Sequence, residues 1–88
     1  MLLPGSMRAE ERVAAFLLNL AERLTTPGRS PSDLVLRVTR EEMSSLVEIS
    51  LETVGRILSK FQEDALIQID GEHVRIVSID GLRALVGR

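Results

Sequence analysis

TREEMSSLVEISLETVGRILSKFQ, residues 39–62, reads as a short helix, a sharp turn and a longer helix. In and just beyond its second half, Val54, Ile57, Leu58, Phe61 and Ala65 follow the i, i+3, i+4, i+7, i+11 spacing of an apolar helical stripe. At about 100° per residue, Glu52, Arg56, Ser59 and Glu63 fall nearly opposite that stripe, with Thr53 and Lys60 to one side. Such a helix rests one face on its own domain and keeps a charged face for something else. Thr39 and Glu42 have capping-box spacing for the first helix, and Ser50 is a natural N-cap for the second. Met43, Leu46 and Val47 are the expected inward positions of the first helix, with Ser44 and Ser45 keeping it slim. Only Glu48 and Ile49 lie between the helices, so these must meet at a large angle, as in a helix-turn-helix.

Upstream, Arg8–Leu24 reads as an amphipathic helix with Val13, Phe16, Leu17, Leu20 and Leu24 on its apolar face and Ala14, Ala15 and Ala21 adding propensity. Thr25–Asp33, with Pro-Gly and Ser-Pro steps, is a loop, and Leu34–Val38 is rich in β-formers and reads as an edge strand. Downstream, Leu66–Asp70 and His73–Ser78 alternate apolar and polar residues around an Asp-Gly step, which predicts a β-hairpin. Leu66, Ile67, Ile69, Val74 and Ile76 compete for its inner face. Asp80–Val86 reads as a short helix with Asp80 as N-cap and Gly87 as terminator. The order predicts an α+β fold, a winged helix-turn-helix. It has three helices, a small antiparallel sheet carrying the β-hairpin wing, and a short C-terminal helix.

Composition narrows the function. The 88 residues suffice for one small domain with a modest core. There is no cysteine, which excludes disulfides and Cys-ligated metal sites, and a single His offers no second ligand at metal spacing. One His and no Cys also assemble no nucleophilic triad, and no Gly-rich phosphate loop occurs, so neither an enzyme nor a cofactor is expected. No apolar run approaches the roughly 18 residues of a membrane span. Residues 1–7 lack the basic start of a signal peptide and read as a frayed or non-native tail, leaving 8–88 as the domain and the cytoplasm as its expected place. The balance of 11 Lys+Arg against 13 Asp+Glu argues against a non-specific nucleic-acid binder. Two Phe with no Tyr or Trp argue against base stacking on single strands.

LETVGRILSKFQEDALI, preceded by TREEMSSLVEIS and ERVAAFLLNLAERL, resembles the C-terminal DNA-binding domain of the Crp/Fnr transcription regulators of bacteria. The resemblance runs from about Glu11 to Gly87, and its most specific piece is E-T-V-G-R at Glu52–Arg56. It implies a winged helix whose second helix enters the DNA major groove, with Glu52 and Arg56 reading base edges and Thr53 near the phosphate backbone. The chemistry is apt, since Arg offers a two-pronged donor to guanine O6 and N7 and Glu accepts from a cytosine amino group. The third base-reading position falls at Leu51 or Gly55, where both residues lack a polar side chain. The resemblance further implies a palindromic double-stranded site, a homodimer in the full-length regulator, and RNA polymerase as a partner. Two departures stand out. Glu48 occupies a turn position where the family usually has Gly, and no stretch matches the family's N-terminal sensor domain or dimerisation helix.

Plainer readings compete at each residue. Glu52 and Arg56 are spaced i, i+4, so an exposed ion pair worth about 0.3–0.5 kcal/mol would also explain them. Gly55 costs about 1 kcal/mol against Ala inside a helix, which close approach of another helix or of DNA would explain. Arg40, Ser50 and Lys60, with Thr39 and Ser45, lie where phosphate contacts are expected, but each also reads as a cap or a solvated side chain. His73 and Arg75 on the wing are phosphate neighbours or plain strand residues. The alternative function is a winged helix used for protein–protein contact without DNA binding. Charge placement should discriminate. Arg29, Arg37, Arg40, Arg56 and Lys60 sharing the exposed face of the second helix would favour DNA, and Glu42, Glu48, Glu52 and Glu63 dominating it would favour protein.

Overall fold

The computed structural model describes residues 8–24 and 35–86. Their elements run α1 (Ala9–Leu24), β1 (Val35–Arg37), α2 (Arg40–Val47), α3 (Leu51–Glu63), β2 (Ile67–Asp70), β3 (His73–Ile76) and α4 (Ile79–Val86). The expected loop with Arg29, the strand's first residue Leu34, the terminator Gly87 and the tail 1–7 lie outside the described residues.

α1 packs against α2, α3 and, most extensively, α4. Its buried residues are Val13, Ala14, Leu17, Leu18 and Ala21. The inward face is therefore turned from the expected one. Two alanines assigned to propensity lie in the core, where small side chains let neighbouring helices approach closely. Phe16 and Leu20 are only partly buried, and Leu24, the last residue of the helix, is 53% exposed.

The sheet has the order β1-β3-β2, both pairs antiparallel, so β1 is an edge strand as its sequence predicts. Asp70 pairs with His73 across a tight turn in which Gly71 takes φ +63°, the left-handed backbone that glycine accepts without strain. Leu36, Ile67, Val74 and Ile76 are buried, whereas Val35, Arg37, Gln68, Asp70, His73 and Arg75 are exposed. The Val38 N–H donates to the Glu72 carbonyl at 3.0 Å and ties β1 to the hairpin tip.

α3 contributes Val54, Ile57, Leu58 and Phe61 to the core. The expected fifth stripe residue, Ala65, is exposed, because the helix stops at Glu63 and Ala65 turns left-handed at φ 58°. Leu66 N–H donates to Phe61 O at 2.9 Å and Ala65 N–H to Gln62 O at 3.1 Å, the paired bonds of a Schellman stop. In α2, Met43 and Val47 are buried but Leu46 is 66% exposed, another correction. Residues 43 and 47 fix the inward direction of so short a helix, and 46 lies about 100° away from 47.

α4 starts one residue before the expected N-cap, and Ser78 rather than Asp80 caps it, its Oγ accepting from Gly81 N–H at 3.1 Å. The Leu66 carbonyl accepts from both Val77 N–H at 2.9 Å and Ser78 N–H at 3.0 Å, which holds Ser78 at the helix start. A Cβ on Gly81 would lie 2.3 Å from Leu66 Cδ2, so a side chain there would require Leu66 to shift. No polar or charged residue is buried among those described. The architecture is a winged helix-turn-helix, with α2 and α3 on an α1–α4 platform and the β2–β3 hairpin as the wing.

Candidate nucleic-acid interface

The local sequence builds the helix-turn-helix from both ends. At the start of α2 the full capping box forms, with Glu42 N–H donating to Thr39 Oγ1 at 3.0 Å and Thr39 N–H to Glu42 Oε1 at 2.9 Å. At its end Glu48 adopts φ 57° and ψ 46°, a left-handed conformation that glycine would take without strain. The chain reverses there, with Ile49 N–H donating to Ser44 O at 3.2 Å and the Ser44 hydroxyl donating to Ile49 O. Ser50 then caps α3, accepting from Thr53 N–H at 3.2 Å. Its own hydroxyl proton goes to Thr53 Oγ1 at 2.8 Å. That bond uses Thr53 as acceptor and leaves the Thr53 O–H proton to donate outward.

α3 turns Leu51, Glu52, Arg56, Ser59, Lys60 and Glu63 to solvent. Arg56 Nη2 donates to Glu52 Oε1 at 3.1 Å, and both side chains are 78% exposed. The ion pair foreseen from the i, i+4 spacing is thus formed in the unbound domain. At about 0.3–0.5 kcal/mol such an exposed pair is weak, so it fixes neither side chain in place. It also places a donor fork and an acceptor side by side, which is what a guanine and a neighbouring cytosine would need.

Other expected site residues divide. Arg40, the first residue of α2, is exposed. Lys60 is not a free cation, since its Nζ donates to Glu10 Oε2 of α1 at 3.0 Å. Among the described residues a Cβ on Gly55 would meet nothing within 4 Å, so no described helix explains this glycine. One turn before it, Leu51 is a large apolar side chain left 45% exposed. On the wing His73 and Arg75 are exposed, and Arg37 pairs with Glu72 at 3.6 Å. Arg37 therefore lies on the outer face of the sheet rather than with α3. The exposed face of α3 carries two bases and two acids, Arg56 and Lys60 against Glu52 and Glu63, so neither charge pattern set out above prevails. Among the described residues no three His, Cys, Asp or Glu side chains gather as a metal site. No described helix is long and apolar enough to cross a membrane. Sequence reasoning missed the roles of Glu10 and Arg12, whose contacts join elements far apart in the chain and leave no local signal.

Comparison with known proteins agrees with this architecture. A family model described as a Crp-like helix-turn-helix domain matches residues 11–85. Transcriptional regulatory protein btr of Bordetella pertussis is 44% identical over 84 residues, which is 96% of this chain and 35% of that protein. Transcriptional activator protein FnrA of Stutzerimonas stutzeri is 38% identical over 87 residues, 99% of this chain and 36% of that protein. The chain thus spans about a third of the length of these relatives. Among solved structures, a Crp/Fnr-family regulator of Thermus thermophilus superposes with a TM-score of 0.81 at 26% identity, covering 96% of this chain and 43% of that one. FixK2 of Bradyrhizobium japonicum superposes with a TM-score of 0.76 at 30% identity, covering 97% of this chain and 41% of that one.

Proposed function

The chain belongs to the Crp-like helix-turn-helix domain family, and from that membership we propose that it is the sequence-specific, double-stranded DNA-reading domain of a cytoplasmic bacterial transcription regulator. α3 lies in the major groove, where Arg56 donates to guanine and Glu52 accepts from cytosine. Thr53, Ser50 and Arg40 position the domain on phosphates, with Lys60 joining them when it exchanges Glu10 for a phosphate oxygen. Leu51 packs against a thymine methyl, and the open side of Gly55 lets the base edge come close. In the complete regulator two such domains read a palindrome with half-sites about one helical turn apart. RNA polymerase is the expected protein partner of that dimer.

The observation that carries this reading is the exposed Glu52–Arg56 pair at the start of α3, set in a capped helix-turn-helix. Selection of binding sites from a random duplex library tests it. Wild type should enrich a defined half-site with a guanine–cytosine core, and Glu52→Ala should shift the preferred base more than the overall affinity. Enrichment of no motif would refute the reading and return the domain to protein contact.

A further inference from the structure

The turn that sets α3 against α2 is held partly from outside. α2 has acids in its first turn and no base in its last, so the negative end of its dipole has no cation of its own. Arg12 supplies one from α1, its Nη2 donating to the carbonyl of Val47, the last residue of α2. The next residue is the left-handed Glu48, and after it Ile49 is bonded at both N–H and carbonyl to Ser44. Of these ties only that from Arg12 comes from another element. Two residues earlier on α1, Glu10 holds Lys60 in the second half of α3. One helix thereby grips the end of α2 and the body of α3.

We propose that Arg12 is a positioning residue for DNA reading, through which α1 braces the end of α2 and so fixes the angle between α2 and α3, the Glu10–Lys60 pair being a second tie of the DNA-free domain. The proposal rests on the DNA-reading function above and goes beyond it, because Arg12 belongs to α1 and is half-buried and bonded to the backbone of α2. Its physical content is a difference in tolerance. A bidentate arginine–guanine contact needs a set distance and plane, so a small tilt of α3 breaks it. Attraction to phosphates survives such a tilt. Loss of the brace must therefore appear in discrimination between duplexes and not in attraction to DNA at large.

The test compares wild type, Arg12→Gln, Arg12→Lys and Arg12→Gln/Ala65→Gly at a temperature where circular dichroism shows each folded. Binding is measured on the duplex selected by wild type and on a scrambled duplex. Arg12→Gln is expected to weaken the selected duplex about tenfold, the loss of one well-oriented base contact. The scrambled duplex should change by less than about twofold, with the same salt slope, because phosphate contacts are kept. Arg12→Lys keeps the charge and one donor and should recover most of the loss. Ala65→Gly relieves a left-handed residue remote from the turn, and should raise thermal stability without restoring preference. In the DNA-free proteins, residual dipolar couplings should show α3 reoriented relative to α2 in Arg12→Gln. An unchanged interhelical angle, an equal loss on both duplexes, or preference regained along with stability would each overturn the brace. A wild type that cannot tell the duplexes apart would instead refute the DNA-reading function, while the dipolar couplings still decide whether Arg12 holds the turn.

Discussion

Replacing Glu48 with glycine isolates one term of the turn on which the site depends. Glu48 sits at φ 57° and ψ 46° with its side chain exposed, so the variant gives up little beyond the side chain itself. Left-handed backbone costs a residue with a Cβ about 1–2 kcal/mol. Glycine removes that cost but adds about 0.4–1 kcal/mol of unfolded-state entropy. The difference leaves Glu48→Gly more stable by about 0.5–1 kcal/mol, a rise in Tm of about 2–8 °C for a domain of this size. Glu48→Ala is the control, since it removes the same carboxylate from the negative end of α2 while keeping the Cβ. Thermal and urea unfolding followed by circular dichroism would measure both. If Glu48→Gly proved no more stable than Glu48→Ala, the strain would not be where the backbone places it, and the account of the turn would be wrong.

Two further perturbations probe the platform and the reading face. Gly81→Ala puts a methyl 2.3 Å from Leu66 Cδ2 and 3.1 Å from Ser78 Oγ, and the forced shift should cost about 1–3 kcal/mol, partly offset by about 1 kcal/mol of helix propensity. A net loss of stability in urea unfolding is expected, and a net gain would show that the hairpin entry yields freely. For Leu51, replacing each thymine of the selected site in turn with deoxyuridine deletes single methyl groups. One such replacement should weaken wild type about fourfold, the worth of one buried methyl, and leave Leu51→Ala indifferent. Equal sensitivity of both proteins would remove Leu51 from the site.

The helix-turn-helix was legible because its signals are local. The Thr39–Glu42 box, the Ser50 cap and the apolar stripe from Val54 to Phe61 each involve residues within a few turns of one another, and each forms as read. The same holds for the Asp-Gly hairpin, where the backbone need of Gly71 is written in the sequence. The misreadings arise where a neighbour or a helix end decides. Ala65 continues the stripe on paper, but the stripe says nothing about where the backbone leaves the helix. Ser78 and Asp80 are both plausible caps two residues apart, and the bond from Ser78 N–H to the Leu66 carbonyl selects the first. Leu24 and Leu46 lie at positions of proper period that no described element covers.

Within the site, sequence spacing foresaw the Glu52–Arg56 pair and the resemblance gave it a use. The pairing of Lys60 with Glu10 and the grip of Arg12 on Val47 were invisible, because they join residues 50 and 35 positions apart. These long-range ties also change how the charge pattern is read. A lysine engaged by a carboxylate contributes less to phosphate attraction than its count suggests, so the acidic net charge says little about the reading face.

Whether α3 reads base edges through Arg56 can be measured by fluorescence anisotropy on a labelled palindromic duplex of the Crp/Fnr type and a scrambled control. Wild type and Arg56→Ala would be compared at low and physiological salt. Wild type should prefer the palindrome, and Arg56→Ala should lose about 1–3 kcal/mol on it while binding the scrambled duplex almost as before. Equal loss on both duplexes would reduce Arg56 to a phosphate contact. No binding to either duplex by a folded wild-type domain, even at low salt, would contradict DNA reading altogether.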